Sequence, residues 1–138
     1  MLSVGPSLEP PKRNRPSSGR KILLVSLDQS HIDRWRASLT QAGYAVRTCA
    51  SFGEGARSVT SDRFDFIVLE QASPAFEGWL VLERAREIDP TPPLLVLTRC
   101  PEMSCYLAAM ESGALDYVEI PPRGRLVRLL DAYLSPHN

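Results

Sequence analysis

Short apolar runs recur along this chain, and the segments between them carry apolar residues at every third or fourth position. Runs of four or five apolar residues are typical of strands buried on both faces, as in a parallel sheet. The pattern predicts five strands, at residues 21–25, 44–46, 66–69, 94–97 and 115–119.

The segment after each strand predicts a helix. Ser30 offers an N-cap for the first helix, and Gly43 ends it. Its apolar face consists of Ile32, Trp35, Leu39 and Ala42. A short helix weakened by glycine is predicted around residues 54–60, and a third helix over about residues 78–88. In the fourth helix Pro101 suits the first turn. Its apolar residues at helical spacing are Met103, Leu107, Met110 and Ala114. The apolar stripe of the fifth helix consists of Leu126, Leu129, Leu130, Tyr133 and Leu134.

Five βα units with short connections predict an α/β fold with a doubly wound parallel sheet, because right-handed crossovers place helices on both faces. In an open sheet of this kind, ligands collect outside the carboxyl ends of the strands. The informative positions are therefore residues 26–28, 70–71, 98–99 and 119–121.

Composition divides the chain into an arm and one domain. The 138 residues carry no net charge, but residues 1–20 have a net charge of +3 and residues 21–138 a net charge of −3. The first 20 residues also hold four of the 12 prolines, which predicts a disordered basic arm before a single domain over residues 21–138. Such an arm could touch nucleic acid, but a solubilising tail is favoured because aromatic residues are lacking.

The chemistry of the chain favours a cytoplasmic protein. No apolar run is long enough to span a membrane, and the N-terminus lacks the apolar segment of a secretory signal. The three cysteines form no CxxC pair and are expected to be reduced thiols. Neither His31 nor His137 has metal-ligand spacing with Cys100 or Cys105, so no metal site is predicted.

Residues 21–134 resemble the receiver domain of two-component response regulators, the CheY-like fold. The first and third strands carry the resemblance, together with the Pro74–Gly78 turn, Leu97-Thr98, and the segment from Ala109 to Tyr117 that runs on to Pro121. The resemblance implies a five-stranded sheet in the order 2-1-3-4-5 and a role in bacterial phosphorelay signalling.

The same resemblance implies a phosphorylation site whose main residues are replaced here. The acidic pair of the family falls on Ser26 and Leu27, and moving Asp28 into the site would require a bulge. The phosphoacceptor aspartate falls on Glu70, and the lysine falls on Ile120.

No lysine occurs after Lys21, so no other lysine of the domain can substitute. Thr98 and Tyr117 match the hydroxyl and aromatic switch positions. Without the acidic pair and the lysine we expect magnesium binding and aspartyl phosphorylation to be lost. The domain is then a pseudo-receiver that has no cofactor and is not an enzyme.

Glu70 admits two interpretations: a built-in mimic of a phosphorylated aspartate that reaches toward Thr98, or a tolerated polar residue at a strand end. For Tyr117 the alternatives are a rotating switch and an aromatic that simply suits a strand.

A pseudo-receiver is expected to act by binding proteins, with a histidine kinase or another signalling protein as partner. The predicted docking face is built from the fourth helix, fifth strand and fifth helix, and it could also form a homodimer. Its expected contributors are Tyr106, Met110, Tyr117, Arg123, Arg125 and Arg128. Two alternatives stay open: a domain that binds a nucleotide or flavin, against which the missing phosphate-binding glycine loop argues, and the receiver fragment of a longer DNA-binding regulator.

Overall fold

The computed structural model describes residues 19–73 and 78–135, which form a five-stranded parallel sheet with helices on both faces. The strands are β1 (Lys21–Val25), β2 (Ala45–Cys49), β3 (Phe66–Glu70), β4 (Leu94–Thr98) and β5 (Asp116–Glu119). The helices are α1 (Gln29–Gln41), α2 (Phe52–Ser61), α3 (Trp79–Arg86), α4 (Met103–Glu111) and α5 (Arg125–Leu134). The order β2-β1-β3-β4-β5 confirms the predicted doubly wound topology.

The register of the sheet brings the ends of the central strands together. Val25, the last residue of β1, pairs with Cys49 of β2 and Leu69 of β3. Glu70 pairs with Leu97, so the residues after Val25, Leu69 and Leu97 lie at one edge of the sheet. The topology switches direction at β1, and that is where open parallel sheets place their sites.

Two hydrophobic cores, one on each face of the sheet, hold these strands in place. Alternate residues of β1 pack into one core and then the other, because successive side chains of a strand point to opposite faces. Leu23 and Val25 pack with α2, α3 and α4, whereas Ile22 and Leu24 pack with α1 and α5. The continuous apolar runs are therefore strands covered on both faces, as the pattern predicts.

Helix α1 begins two residues earlier than the sequence indicates. Asp28, not Ser30, is the N-cap: its Oδ1 accepts hydrogen bonds from the backbone N–H of Ser30 at 3.0 Å and of His31 at 3.2 Å. Both residue types cap helices well, and the prediction of Ser30 was wrong because Asp28 reaches the free N–H groups of the first turn. This capping fixes Asp28 beside the end of β1.

Helix α4 turns a different face inward from the one we predict. Cys105 and Ala109 are its buried residues, whereas Met103 and Leu107 are 70% and 51% exposed. Of the apolar stripe that the sequence indicates, Ala114 is buried, but Met103 and Leu107 face outward because the small side chains of Cys105 and Ala109 form the packed side of α4. An exposed apolar strip therefore remains on its outer side.

Gly55 sets the distance between α2 and the sheet. A Cβ atom built on this residue would lie 2.9 Å from Cγ2 and 3.0 Å from Cγ1 of Val25, closer than side chains pack. The glycine that weakens α2 in isolation therefore has a packing reason, which is close contact with β1.

Two predictions from the sequence fall wholly or partly outside the described residues: the basic arm before Gly19, and most of the Pro74–Gly78 turn. Among the helices of the described ranges, none has the length and apolar character of a membrane span.

Candidate functional site

A cleft of about 700 Å³ lies at the carboxyl ends of β1, β3 and β4. Its walls include three carboxylates, at Asp28, Glu70 and Glu102, and one guanidinium, at Arg99, together with Leu27 and Thr98. The ends of three strands and the loops that follow them contribute these residues. The predicted strand-end positions are therefore brought together in one place.

Glu70 is the most buried charged residue of the cleft. Its relative exposure is 5%, and two side chains of the β1–α1 segment hydrogen-bond to it. The Ser26 hydroxyl donates to Oε1 at 2.6 Å, and the His31 Nδ1 lies 2.9 Å from Oε1 and 3.1 Å from Oε2. A buried carboxylate requires such partners, because an unpaired one would carry a large desolvation cost.

His31 owes its position to the cap of α1. It occupies the first turn, with its backbone N–H on Asp28, and its ring stacks on Trp35 with centroids 4.8 Å apart. Trp35 is a core residue of α1, so the stacking ties the imidazole to the helix body. The ring is thereby directed at the end of β3, where Glu70 lies.

Arg99 closes the cleft from the opposite side. Its Nη2 donates a short hydrogen bond to Oδ2 of Asp28, and its Nε lies 3.9 Å from Oε2 of Glu70. The pair is partly exposed to solvent, which limits what it adds to stability. It nevertheless joins the loop after β1 to the loop after β4 across the mouth of the cleft.

Asp28 has a pKa lowered to about 2. The hydrogen bond from the Ser30 side chain is the largest cause, followed by the backbone N–H of His31, while partial desolvation acts in the opposite direction. Hydrogen bonds to the charged form favour that form. Asp28 is therefore an anion that is already engaged on both oxygens, by the helix cap and by Arg99.

The partners of Glu70 do not follow from the sequence pattern, which marks His31 only by its lack of metal-ligand spacing and Arg99 only as a strand-end position. Ile120, which the resemblance aligns with the family's lysine, is half-buried and packs on the α1 and α5 side of the core. The side chains beside Glu70 come instead from the end of β1, from α1 and from the loop after β4. The capping signal at Asp28 is what could have located His31.

Thr98 and Tyr117 occupy the interior next to the cleft. Both are nearly buried, and the Thr98 hydroxyl accepts a hydrogen bond from the backbone N–H of Cys100 at 3.2 Å. The Tyr117 hydroxyl donates to Oε1 of Gln71 at 2.7 Å, and burial raises the pKa of this phenol. The contacts of the Glu70 carboxylate are with Ser26, His31 and Arg99 rather than with Thr98.

The cleft does not fit a magnesium ion. Ser26 and Leu27 bring no carboxylate, and the oxygens of Asp28 and Glu70 are engaged by donors of the chain itself. Within residues 19–73 and 78–135, no group of three or more His, Cys, Asp or Glu side chains is arranged to hold a metal ion. Magnesium prefers several free oxygen ligands and water, which this arrangement does not offer.

Only some of the residues predicted for the docking face are exposed. Tyr106 and the arginines at 123, 125 and 128 are exposed, and Met110 is half-exposed. Tyr117 is 6% exposed, so its place among the contact residues was wrong. Its hydroxyl has an internal partner in Gln71, and the ring forms an edge contact with Tyr106 at 6.2 Å.

A family model described as the response regulator receiver domain matches residues 22–130. This chain belongs to that family. It is 34% identical over 106 residues to the transcriptional regulatory protein AfsQ1 of Streptomyces coelicolor, a match that covers 77% of this chain and 47% of the relative. The response regulator MprA of Mycolicibacterium vanbaalenii is 33% identical over 101 residues, with 73% and 44% covered. The receiver domain thus spans about half the length of these relatives.

Solved receiver structures share the fold. A CheY-like receiver domain protein from Methanospirillum hungatei superposes with a TM-score of 0.77 at 25% identity, covering 85% of this chain and 94% of that one. A response regulator from Burkholderia pseudomallei, described with a phosphorylated aspartic acid and a calcium ion, superposes with a TM-score of 0.73 at 22% identity. That match covers 84% of this chain and 66% of the Burkholderia chain. The chain therefore has the receiver fold, and its family is the receiver domain of response regulators.

Proposed function

We propose that this receiver domain is a pseudo-receiver, which is not phosphorylated on a carboxylate and acts through contacts with other proteins. The observation that carries the proposal is that side chains of the domain itself occupy the Glu70 carboxylate. Ser26 and His31 hold both of its oxygens, and Arg99 lies on its open side. A nucleophilic carboxylate needs a free oxygen and a cation that receives the incoming phosphoryl group.

The chemistry of the missing groups supports the same proposal. A phosphoryl group carries charge on three oxygens, which Mg²⁺ and a cationic side chain neutralise in phosphoryl transfer. Leu27 and Ile120 bring neither charge nor oxygen ligands. Glu70 is also one methylene longer than aspartate, and an offset of about 1 Å lowers such reactions strongly.

Acetyl phosphate tests the proposal directly. The purified chain is incubated with acetyl phosphate and Mg²⁺, and its intact mass is measured over time. The Burkholderia pseudomallei regulator described with a phosphorylated aspartic acid serves as the positive control. We expect this chain to keep its mass while the control gains one phosphoryl group.

A variant with Glu70→Asp shows whether an unchanged mass is caused by the longer side chain of Glu70 alone or also by the absent acidic pair and lysine. Because the acidic pair and the lysine are still absent, we expect this variant to remain unmodified as well. A phosphoryl group carried by the native chain would overturn the proposal. Modification of the variant alone would place the whole defect in one methylene group.

A second function, regulation of an attached output domain, is favoured by the length of the relatives. The matches cover 47% of AfsQ1 and 44% of MprA, and AfsQ1 is named a transcriptional regulatory protein. We propose as the alternative that this domain is the receiver part of such a regulator. Sequencing the coding region past the codon for Asn138 tests it, since an open frame into a DNA-binding domain is the expected result.

The exposed face of α4, β5 and α5 is the surface proposed for a signalling partner such as a histidine kinase, or for a second copy. Tyr106 and three exposed arginines give it the aromatic and Arg anchors that are enriched at interfaces. Light scattering of the native chain and of a variant with Tyr106→Ser and Arg125→Glu tests the homodimer. A concentration-dependent dimer that the double substitution abolishes would support it.

A further inference from the structure

A buried polar chain connects the cleft to α4. Gln71 directly follows Glu70 and is 6% exposed, although its side chain carries both a donor and an acceptor. Its Oε1 accepts from the Tyr117 hydroxyl at 2.7 Å. Its Nε2 donates to the carbonyl oxygen of Ser73 at 2.8 Å and to Sγ of Cys105 at 3.4 Å.

These contacts join three elements through one side chain. Gln71 extends β3, Tyr117 belongs to β5, and Cys105 is a buried residue of α4. The Tyr117 ring also meets Tyr106 of α4 edge to face. Amide and phenol groups that are satisfied inside a protein fix one arrangement, because leaving any of them unpaired is costly.

We propose that Gln71 is a latch, meaning a side chain that keeps the Tyr117 ring inside and holds α4 against β5. Its regulatory meaning rests on the proposed function: a domain that takes up no phosphoryl group needs another means of fixing its output surface. The latch determines how α4 presents its apolar strip, Met103, Tyr106 and Leu107, to a partner.

The backbone of Gln71 is fixed as well. Its N–H donates to the carbonyl oxygen of Leu97 in β4, next to the pairing of Glu70 with Leu97. Gln71 therefore holds Tyr117 and α4 from a position that the central strands of the sheet determine.

Hydrogen exchange of the full chain tests the latch. Gln71→Leu removes the three side-chain hydrogen bonds of Gln71, and Tyr117→Phe removes the hydroxyl that donates to Gln71. We expect either substitution to raise amide exchange in α4 by about 2- to 10-fold relative to α1, the range that one net hydrogen bond supplies. If the leucine variant does not fold, the phenylalanine variant carries the test alone.

The matched control is Tyr44→Phe, which removes the hydroxyl of another buried tyrosine whose partner, Asp131, lies on α5. This control should leave exchange in α4 unchanged relative to α1. In the double variant of Gln71→Leu and Tyr117→Phe, exchange in α4 should rise by less than the product of the two single effects, because the two substitutions remove the same hydrogen bond.

Three results would overturn the latch: exchange in α4 that does not change, exchange that rises equally in all helices, or effects of the two substitutions that multiply. Intact masses of the same variants after acetyl phosphate treatment keep the two proposals apart. A phosphorylated native chain whose α4 still responds to Tyr117→Phe would refute the pseudo-receiver and leave the latch standing.

Discussion

Substitution of His31, which contacts the Glu70 carboxylate, should lower the free energy of unfolding. The contacts that are lost determine the size of the decrease. His31→Phe keeps an aromatic ring for Trp35 but removes the ring N–H, so Glu70 loses its contacts at 2.9 and 3.1 Å. A hydrogen bond to a charged group is worth about 1.5–3 kcal/mol, which is the expected loss. His31→Ala also removes the stacking at 4.8 Å, worth a further ~0.5–1.5 kcal/mol.

Urea unfolding at fixed pH and salt measures these losses, followed by the fluorescence of the two tryptophans and by circular dichroism. A second pair of variants carries Glu70→Gln, alone and combined with His31→Phe. The neutral amide can still accept a hydrogen bond from Ser26 but carries no charge for the imidazole to stabilise. The cycle should give a coupling energy of about 1–3 kcal/mol between His31 and Glu70.

The coupling energy shows whether the contact between His31 and Glu70 stabilises the domain. If His31→Phe costs the same free energy of unfolding beside glutamine as beside glutamate, the imidazole does not stabilise the Glu70 carboxylate, and the pairing of these two side chains contributes nothing specific. A large loss for His31→Ala with none for His31→Phe would assign the stability to the stacking on Trp35 alone.

Two further predictions concern the frame around the site. The pKa of Asp28 in the folded domain, about 2, lies below its ordinary value of 3.8, so its stabilising effect is present above about pH 4 and is lost as the pH falls toward 2. In urea unfolding across that range, Asp28→Asn should flatten the loss of stability with acid, whereas the exposed control Asp33→Asn should not. Gly55→Ala should cost about 1–3 kcal/mol, because its methyl group would overlap Val25. Gly53→Ala, whose Cβ would have only an Arg57 side-chain atom at 3.7 Å, should be neutral or stabilising by up to ~1 kcal/mol, and equal unfolding midpoints for the two would contradict the packing argument.

The strands could be predicted from the sequence because their burial leaves a continuous apolar signal. Phe66 to Leu69 and Leu94 to Leu97 have every side chain in a core, so no periodicity had to be resolved. Helix α4 is different: it is short and apolar on most of its surface, so several stripes fit its sequence equally well. The buried one consists of small residues, which carry the weakest hydrophobic signal.

The sequence predicts where the site lies in the fold but not which side chains contact each other there. The strand ends located Ser26, Glu70 and Thr98, because parallel strands end at one edge of the sheet. The pairing of His31 with Glu70 joins residues 39 positions apart and depends on the cap of α1. Sequence spacing does not predict such a pairing, since the direction in which the His31 side chain points depends on the residue at which α1 begins.

The double engagement of Asp28 limits how this domain could evolve. One oxygen caps α1 and the other binds Arg99, so the residue cannot become a metal ligand without freeing the first turn of the helix that carries His31. A cation site introduced here by substitution would need its new carboxylates at Ser26 and Leu27 instead. Each such substitution would place a carboxylate near Glu70 before any ion could stabilise it. Capping of α1 by Asp28 therefore restricts where in this cleft a cation site could arise.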